Sequence, residues 1–335
     1  MHDILVTGID GSTWDEVAAL LAQQSRRRIA IDPRLPRSCQ RDCLDELPAG
    51  CNPRDVLIAR TNQHLMGVAF PRVTYNSPES DKLTYWPSRL GESPLLAVCG
   101  NSDEDIRITV AALLDELDKK WRCEDATGAC VMWPTNDADI ESVLCTRGFS
   151  IDAYVALRTF QEPKMRRSSF PGMLCRRAGV HDLDSVVEIY MEVIDAHIPA
   201  SPFAKFDPAA EKNFRHRFTR SLEANANGGD CEFVLVAEFD DRIVAIAECK
   251  YVLVSEAPDS ILPAGLYGYI NSFGVSSRLR RNGIGKAFEA DVASFFKSTG
   301  AIGVYLWFSY YNDSASHFWP RHGYLPIWTS YQRRH

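Results

Sequence analysis

The sequence predicts an α/β chain built as two copies of one strand-and-helix unit. Short apolar strand-like runs alternate with segments of helical period, in the same order in each half. Landmarks then recur at nearly constant offsets: Val56 and Val234 differ by 178 positions, Val98 and Val275 by 177, and Gly148 and Gly323 by 175. A repeated element order at fixed spacing marks an internal duplication. The 335 residues suffice for two domains of ordinary size.

In the first half, Ile4-Leu5-Val6 reads as a strand, and Asp10-Gly11-Ser12 as a turn. Trp14, Val17, Ala18, Leu20 and Leu21 then recur at helical spacing. Residues 25 to 53, with Arg26-Arg27-Arg28 and three prolines, read as an irregular surface segment. Val56 to Ala59 and Leu65 to Ala69 flank a polar hairpin turn. Residues 75 to 94 are expected as a long loop, Leu95 to Val98 as a buried strand and Ile106 to Trp121 as an amphipathic helix. Cys130 to Trp133 reads as a strand, Ala138 to Leu144 as a short helix and Tyr154 to Leu157 as a strand. Residues 161–172 are polar, basic and aperiodic, which makes them the expected linker between domains 1–160 and 173–335.

The second half repeats the order. Met173 to Cys175 is a strand, and Asp182 to Ala196 and Pro208 to Leu222 are helices. Phe233 to Ala237 and Ile243 to Cys249 form a hairpin turning at Asp240-Asp241. The alternating run Tyr267 to Val275 then meets Arg280-Arg281-Asn282-Gly283-Ile284-Gly285-Lys286, which opens a helical pattern from Ala287 to Phe296. Glycines let backbone N–H groups approach a ligand, and the amides of a first helical turn favour negative charge. The expected ligand is a pyrophosphate.

Charge supports a local anion site. The chain carries 37 basic and 44 acidic residues, a net charge of −7, so a broad nucleic-acid surface is not expected. No apolar run approaches the roughly 18 residues of a membrane span, and the amino terminus lacks a basic segment followed by a long apolar one. A cytoplasmic protein without a membrane partner is the expectation, with its ten cysteines reduced. Cys39, Cys43 and Cys51 cluster without a C-x-x-C pair or a nearby histidine, so no metal is expected. The oligomeric state, monomer or homodimer, stays open.

Arg280-x-x-Gly283-x-Gly285 resembles the pyrophosphate motif [Q/R]-x-x-G-x-[G/A] of the GNAT acyltransferase superfamily. Ile270-x-x-Phe273-Gly274-Val275 resembles the strand that precedes it in that family. Asn312-x-x-Ala315-x-x-Phe318-Trp319-x-x-x-Gly323-Tyr324 is similar to the family's second motif, N-x-x-A-x-x-[aliphatic/aromatic]-Y-x-x-x-G-[F/Y], three residues after the apolar strand Val304 to Phe308. A Rossmann fingerprint would need glycine at Phe288, and a Walker loop would need Ser or Thr at Ala287. The resemblance covers residues 173 to 332.

What it implies is a pair of GNAT-like domains, each a mixed, largely antiparallel central sheet flanked by helices. The implied activity is direct transfer of an acetyl group from acetyl-CoA to a small-molecule primary amine. Protein acetylation at lysine or an N-terminus, and acyl-CoA sensing without turnover, are the alternatives. The implied cofactor-binding residues are Phe273, Gly274, Val275, Arg280, Arg281, Asn282, Gly283, Ile284, Gly285, Lys286, Asn312 and Phe318. The chain departs from the family at Trp319, where a thiolate-protonating Tyr often stands, and at Asn271-Ser272, where a carboxylate base often stands. Candidate catalytic residues are therefore Glu248, Asn271, Tyr310 and Tyr311, with Tyr324 and His197 as further candidates for acid and base.

The first half resembles the same fold but lacks the phosphate chemistry. Aligning Val98 with Val275 sets Ile106 and Ile108 opposite the two glycines and Asp103 opposite Arg280. Branched side chains would block backbone approach, and the acidic run 103–105 would repel a pyrophosphate. No cofactor is expected in residues 1–160.

Overall fold

A computed structural model describes residues 4–9, 13–37, 47–61, 64–77, 81–160, 169–226 and 232–335. The first half contributes β1 (Leu5–Gly8), α1 (Trp14–Ile31), β2 (Leu57–Thr61), β3 (His64–Ala69), β4 (Arg72–Tyr75), β5 (Arg89–Glu92), β6 (Leu96–Val98), α2 (Asp103–Cys123), β7 (Gly128–Pro134), α3 (Ala138–Thr146) and β8 (Ser150–Thr159). The second contributes β9 (Leu174–Arg177), α4 (Leu183–His197), α5 (Ala210–Ala226), β10 (Glu232–Phe239), β11 (Arg242–Val254), β12 (Gly265–Val275), α6 (Ile284–Ser298), β13 (Gly303–Ser309), α7 (Asp313–Arg321) and β14 (Leu325–Arg334). Of the expected linker, residues 161–168 lie outside the described residues, as do Cys39 and Cys43.

The expected long loop at 75–94 contains a strand. β5 pairs antiparallel with β4 and parallel with β7. Its sequence, Arg-Leu-Gly-Glu, has one large apolar residue and no alternation that marks a strand; pairing on both sides creates it. Together β3–β4 and β5–β6 form one hairpin bent at Phe70-Pro71 and Ser93-Pro94. Ser93 fills the bend, its Oγ accepting from Phe70 N–H at 3.1 Å and donating to Leu95 O at 2.9 Å. Prolines carry no N–H for a ladder, so the hairpin breaks there. One limb enters a four-stranded sheet (β1-β2-β3-β6), the other a ten-stranded sheet (β4-β5-β7-β14-β8-β13-β12-β11-β10-β9). In the second half the corresponding hairpin, β11–β12, is unbroken.

The centre of the large sheet holds a reciprocal exchange of strands. The duplication relates β7 to β13 and β8 to β14 at an offset of 175, yet β8 pairs with β13 and β14 pairs with β7. The same bonds recur at that offset: Thr135 N–H donates to Ile327 O at 3.0 Å, and Tyr310 N–H to Asp152 O at 2.9 Å. The two exchanged strands also pair with each other, and Ile327 and Asp152 are the extra residues of bulges in that ladder.

Helices pack on both faces. α6 buries Ile284, Phe288, Val292 and Phe296, spaced four apart, against the face carrying Leu235, Ala245 and Ala247. Burial of each phenylalanine stabilises by about 1.5–3 kcal/mol. α4 and α5 cover the opposite face through Val186, Tyr190, Phe214 and Phe218. A buried ion pair crosses the halves: Arg158 of β8 meets Glu289 of α6, which also accepts from Tyr324 Oη at 3.0 Å.

Candidate active site

β12 carries the site at its C-terminal end. Its ladder with β11 slips one position between Glu248 and Cys249, leaving Asn271 as the extra residue of a bulge. A bulge re-aims a side chain. Here it sets Asn271 Nδ2 2.7 Å from Glu248 Oε2, while Asn271 Oδ1 accepts from Tyr269 Oη at 3.2 Å. Glu248 also accepts from Arg217 Nε of α5 at 2.6 Å. The resulting chain, Tyr269–Asn271–Glu248–Arg217, contains a carboxylate held between an amide and a guanidinium.

Beyond Val275 the chain turns through a short 3-10 segment, Ser277–Leu279, into α6. Arg281 and Gly283 both take left-handed backbone, with φ of 66° and 89°. Alternating handedness is how successive amides converge on an anion. The first helical bond of the turn runs from Ala287 N–H to Gly283 O at 3.1 Å, so the amides before it have no intrahelical acceptor. A Cβ at Gly285 would stand 3.3 Å from Val275 and 3.7 Å from Phe318, closing the space beside the strand end. Arg281, Asn282 and Lys286 are exposed. Arg280 is drawn back, its Nε donating to Val275 O at 2.9 Å and its Nη2 lying 3.7 Å from Glu192 of α4.

The second motif wraps the same strand end. Asn312 caps α7, its Oδ1 accepting from Ala315 N–H at 3.1 Å. Phe273 lies against Phe318 and Trp319, with ring centroids 5.7 and 5.2 Å apart. Trp319 is therefore a core residue. Tyr324 is wholly buried against Glu289, and burial lifts its hydroxyl well above the ordinary range, which removes it as a proton donor to a ligand. Tyr310 and Tyr311 remain at the end of β13, edge to face at 5.2 Å. Burial, then the nearby Asp152, raises the Tyr311 hydroxyl, so it stays protonated at neutral pH.

Two site residues come from the first half, and no motif points to them. Tyr85 packs edge-on against His197 at 5.2 Å; burial, then Asp152 and Glu248, push its hydroxyl up to about 12. Asp152 is nearly buried and accepts from Gln332 Nε2 at 3.1 Å, and burial pushes its carboxyl up to about 6. The segment before Tyr85 also seals against the loop after α4: Lys205 N–H donates to Thr84 O at 2.8 Å, and Arg334 Nη2 bridges Tyr85 O and Phe203 O at 2.6 and 3.0 Å. His197, a further candidate for acid or base, is the last residue of α4, and burial holds its ring below the usual pKa.

A sequence profile described as the acetyltransferase (GNAT) family matches residues 192–324. That span runs from Glu192 on α4 through the glycine loop to Tyr324. The second half is a GNAT domain. In fold, nearly the whole chain is similar to solved acetyltransferase structures. A GCN5-related N-acetyltransferase from Sphaerobacter thermophilus superposes over 99% of this chain and 95% of its own, with a TM-score of 0.58 and 13% identity. The GCN5-related glucosamine N-acetyltransferase region of a fungal multidomain GH3 β-N-acetylglucosaminidase superposes over 99% of this chain and 38% of its own, with a TM-score of 0.54 and 16% identity. No curated protein matches the sequence.

In the first half, the strand-to-helix connection of this GNAT-like unit is short. α2 begins five residues after Val98, α6 nine residues after Val275. The helix caps therefore align Ser102 with Gly283, an offset of 181, which places Glu104 and Asp105 opposite Gly285 and Lys286. This corrects the alignment that set Ile106 and Ile108 there, because that alignment ignored the missing loop residues. The Ser102 hydroxyl accepts from Asp105 N–H at 3.1 Å, and Asp105 Oδ2 accepts from Ser102 N–H at 3.1 Å. The helix N-terminus is filled by its own capping box. Among the described residues no helix is long and apolar enough to cross a membrane, and no group of His, Cys, Asp or Glu is placed to hold a metal ion.

Proposed function

We propose that the chain is an acetyl-CoA-dependent N-acetyltransferase acting on a primary amine of a small molecule. The observation that carries this reading is that the anion-binding turn and the Glu248–Asn271 pair sit on one strand end, separated only by Ser272 to Val275 and the turn itself. Acetyl-CoA, when bound, supplies a thioester-activated acetyl group. Phe273, Gly274 and Val275 offer a strand edge for the pantetheine arm, while the amides of 281 to 286, with Arg281 and Lys286, hold its pyrophosphate. Arg280 gains a second role as the residue that ties this turn to β12 and α4.

The protein's own chemistry then concerns one proton in and one proton out. Glu248 takes a proton from the amine, directly or through a water: an N–H bond breaks and an O–H bond forms on a carboxylate oxygen. Arg217 and Asn271 hold that carboxylate in place. Tyr310 and Tyr311, at the end of β13, would supply a hydroxyl proton to the departing thiolate. A small acceptor is supported by the seal between residues 84–85, 203–205 and 334, and a cationic one by the carboxylates of Glu248 and Asp152.

Incubation with acetyl-CoA and a panel of amines, following free thiol and product mass, is the test. Thiol release matched by acetylated amine is expected, and Glu248→Gln should lower kcat/KM by about 10²–10⁴-fold with acetyl-CoA affinity retained. Tight acetyl-CoA binding without thiol release from any amine would overturn the catalytic reading.

A further inference from the structure

The first half has no anion turn, but it has a cavity. About 350 Å³ opens between β4, β5 and β7, the last turn of α1, and the 258–261 loop with Trp307 and Trp328 of the second half. It lies on the α1-covered face of the sheet, and the duplication relates that face to the one bearing Glu248: Arg72 corresponds to Lys250 at an offset of 178, and Glu92 to Tyr269 at 177. None of its lining residues belongs to the glycine loop or to the Glu248 network.

Its chemistry is uneven. Three tryptophans, Trp86, Trp307 and Trp328, share the walls with polar groups, Lys82 and Asp259 among them. Glu92 is already engaged, accepting from Arg72 Nε at 3.1 Å and from Thr74 Oγ1 at 2.7 Å. Arg28 is different. Its Nη2 donates to Leu96 O at 3.0 Å, its guanidinium lies 5.0 Å over the Trp328 ring, and its enclosed Nε has no partner. Among the described residues no carboxylate pairs with it. Burial and neighbouring Arg27 lower its pKa to about 10, which still leaves it charged at neutral pH.

A half-buried cation without a counter-ion carries a desolvation cost that a bound anion offsets. A bidentate guanidinium beside an aromatic wall is also the arrangement that recognises a carboxylate on a planar body. Trp328 is itself fixed by its Nε1, which donates to Ile261 O at 2.7 Å, so the stack is preformed. We propose that this cavity binds a small aromatic carboxylate, its acid group on Arg28 and its ring among the three tryptophans. The volume lies at the small end of ligand pockets, which sets the size to one or two fused rings. The site is distinct from the acetyl-CoA turn, and its existence does not depend on the acyltransfer reading.

Isothermal titration of the full-length protein with indole-3-acetate, indole-3-acetamide and tryptamine tests the proposal. One indole-3-acetate per chain is expected, with the amide at least tenfold weaker and the amine not bound. Arg28→Met should abolish indole-3-acetate binding while leaving acetyl-CoA affinity unchanged, which shows that the variant is folded. Thermal unfolding without ligand adds a second readout: a cation kept for a ligand is replaced by Met with Tm unchanged or raised, whereas a structural Arg28 lowers it. Equal affinity for acid and amide, binding that survives Arg28→Met, or no binding of the acid at all would each overturn the proposal.

Discussion

The two halves follow one element order, and two of their differences bear on the site: the start of the long central helix and the exchanged strand. At the helix, Gly283 stands in left-handed backbone and leaves amides open, whereas Ser102 and Asp105 close the equivalent end with a capping box. At the strand, the duplicated bulge buries Ile327 in one half and Asp152 in the other. One copy thus leaves its first-turn amides without a capping side chain, and the other places a carboxylate and a tyrosine near its partner's Glu248 and Tyr311. Duplication followed by exchange makes such a division possible, since each half's last strand already lies inside the other's sheet.

The ion pair across the exchange gives the largest expected effect. Arg158→Met leaves Glu289 buried without its cation and should destabilise the chain by about 3–5 kcal/mol in urea unfolding. Arg158→Met with Glu289→Met should recover most of that loss; failure to recover would mean that Arg158 acts through packing on Tyr324.

The helix starts can be broken separately. Gly283→Val forces a branched residue into left-handed backbone and fills the turn, so acetyl-CoA affinity should fall by about 100-fold, or roughly 3 kcal/mol, by calorimetry. Ser102→Ala should cost about 1 kcal/mol of stability and leave acetyl-CoA affinity untouched. Equal effects of the two on affinity would contradict the asymmetry.

The effect at Asp152 depends on pH. Its folded pKa of about 6 lies above its ordinary 3.8, so the folded state holds its proton more tightly than the unfolded chain does. The stabilisation by protonation is full below about pH 4 and is lost as pH rises through 6, amounting to at most about 3 kcal/mol. Asp152→Asn should flatten the stability profile between pH 4 and 7. An unchanged profile would place Asp152 in a solvated position.

Much of this was legible in the residues. The offsets between Val56 and Val234, or Gly148 and Gly323, announce the duplication, and Arg280 to Lys286 announces the anion turn, because glycine spacing and a helix start are local properties. Glu248 and Asn271 were legible as candidates only, since a bulge depends on how two strands register. Tyr85, Asp152 and Arg217 carried no signal that tied them to the site, lying 163, 96 and 31 positions from Glu248 in the sequence. The strand Arg89–Glu92 was hidden for the same reason.

By itself, then, the sequence determined the two-copy architecture and the glycine turn that opens α6, because both follow from local periodicity, handedness and exposed amides. Tertiary structure alone decided which sheet edge each last strand joins, and hence which half completes which site. Backbone N–H and C=O groups are the same in every strand, so a ladder's partner is fixed by global packing and not by the residues that form it.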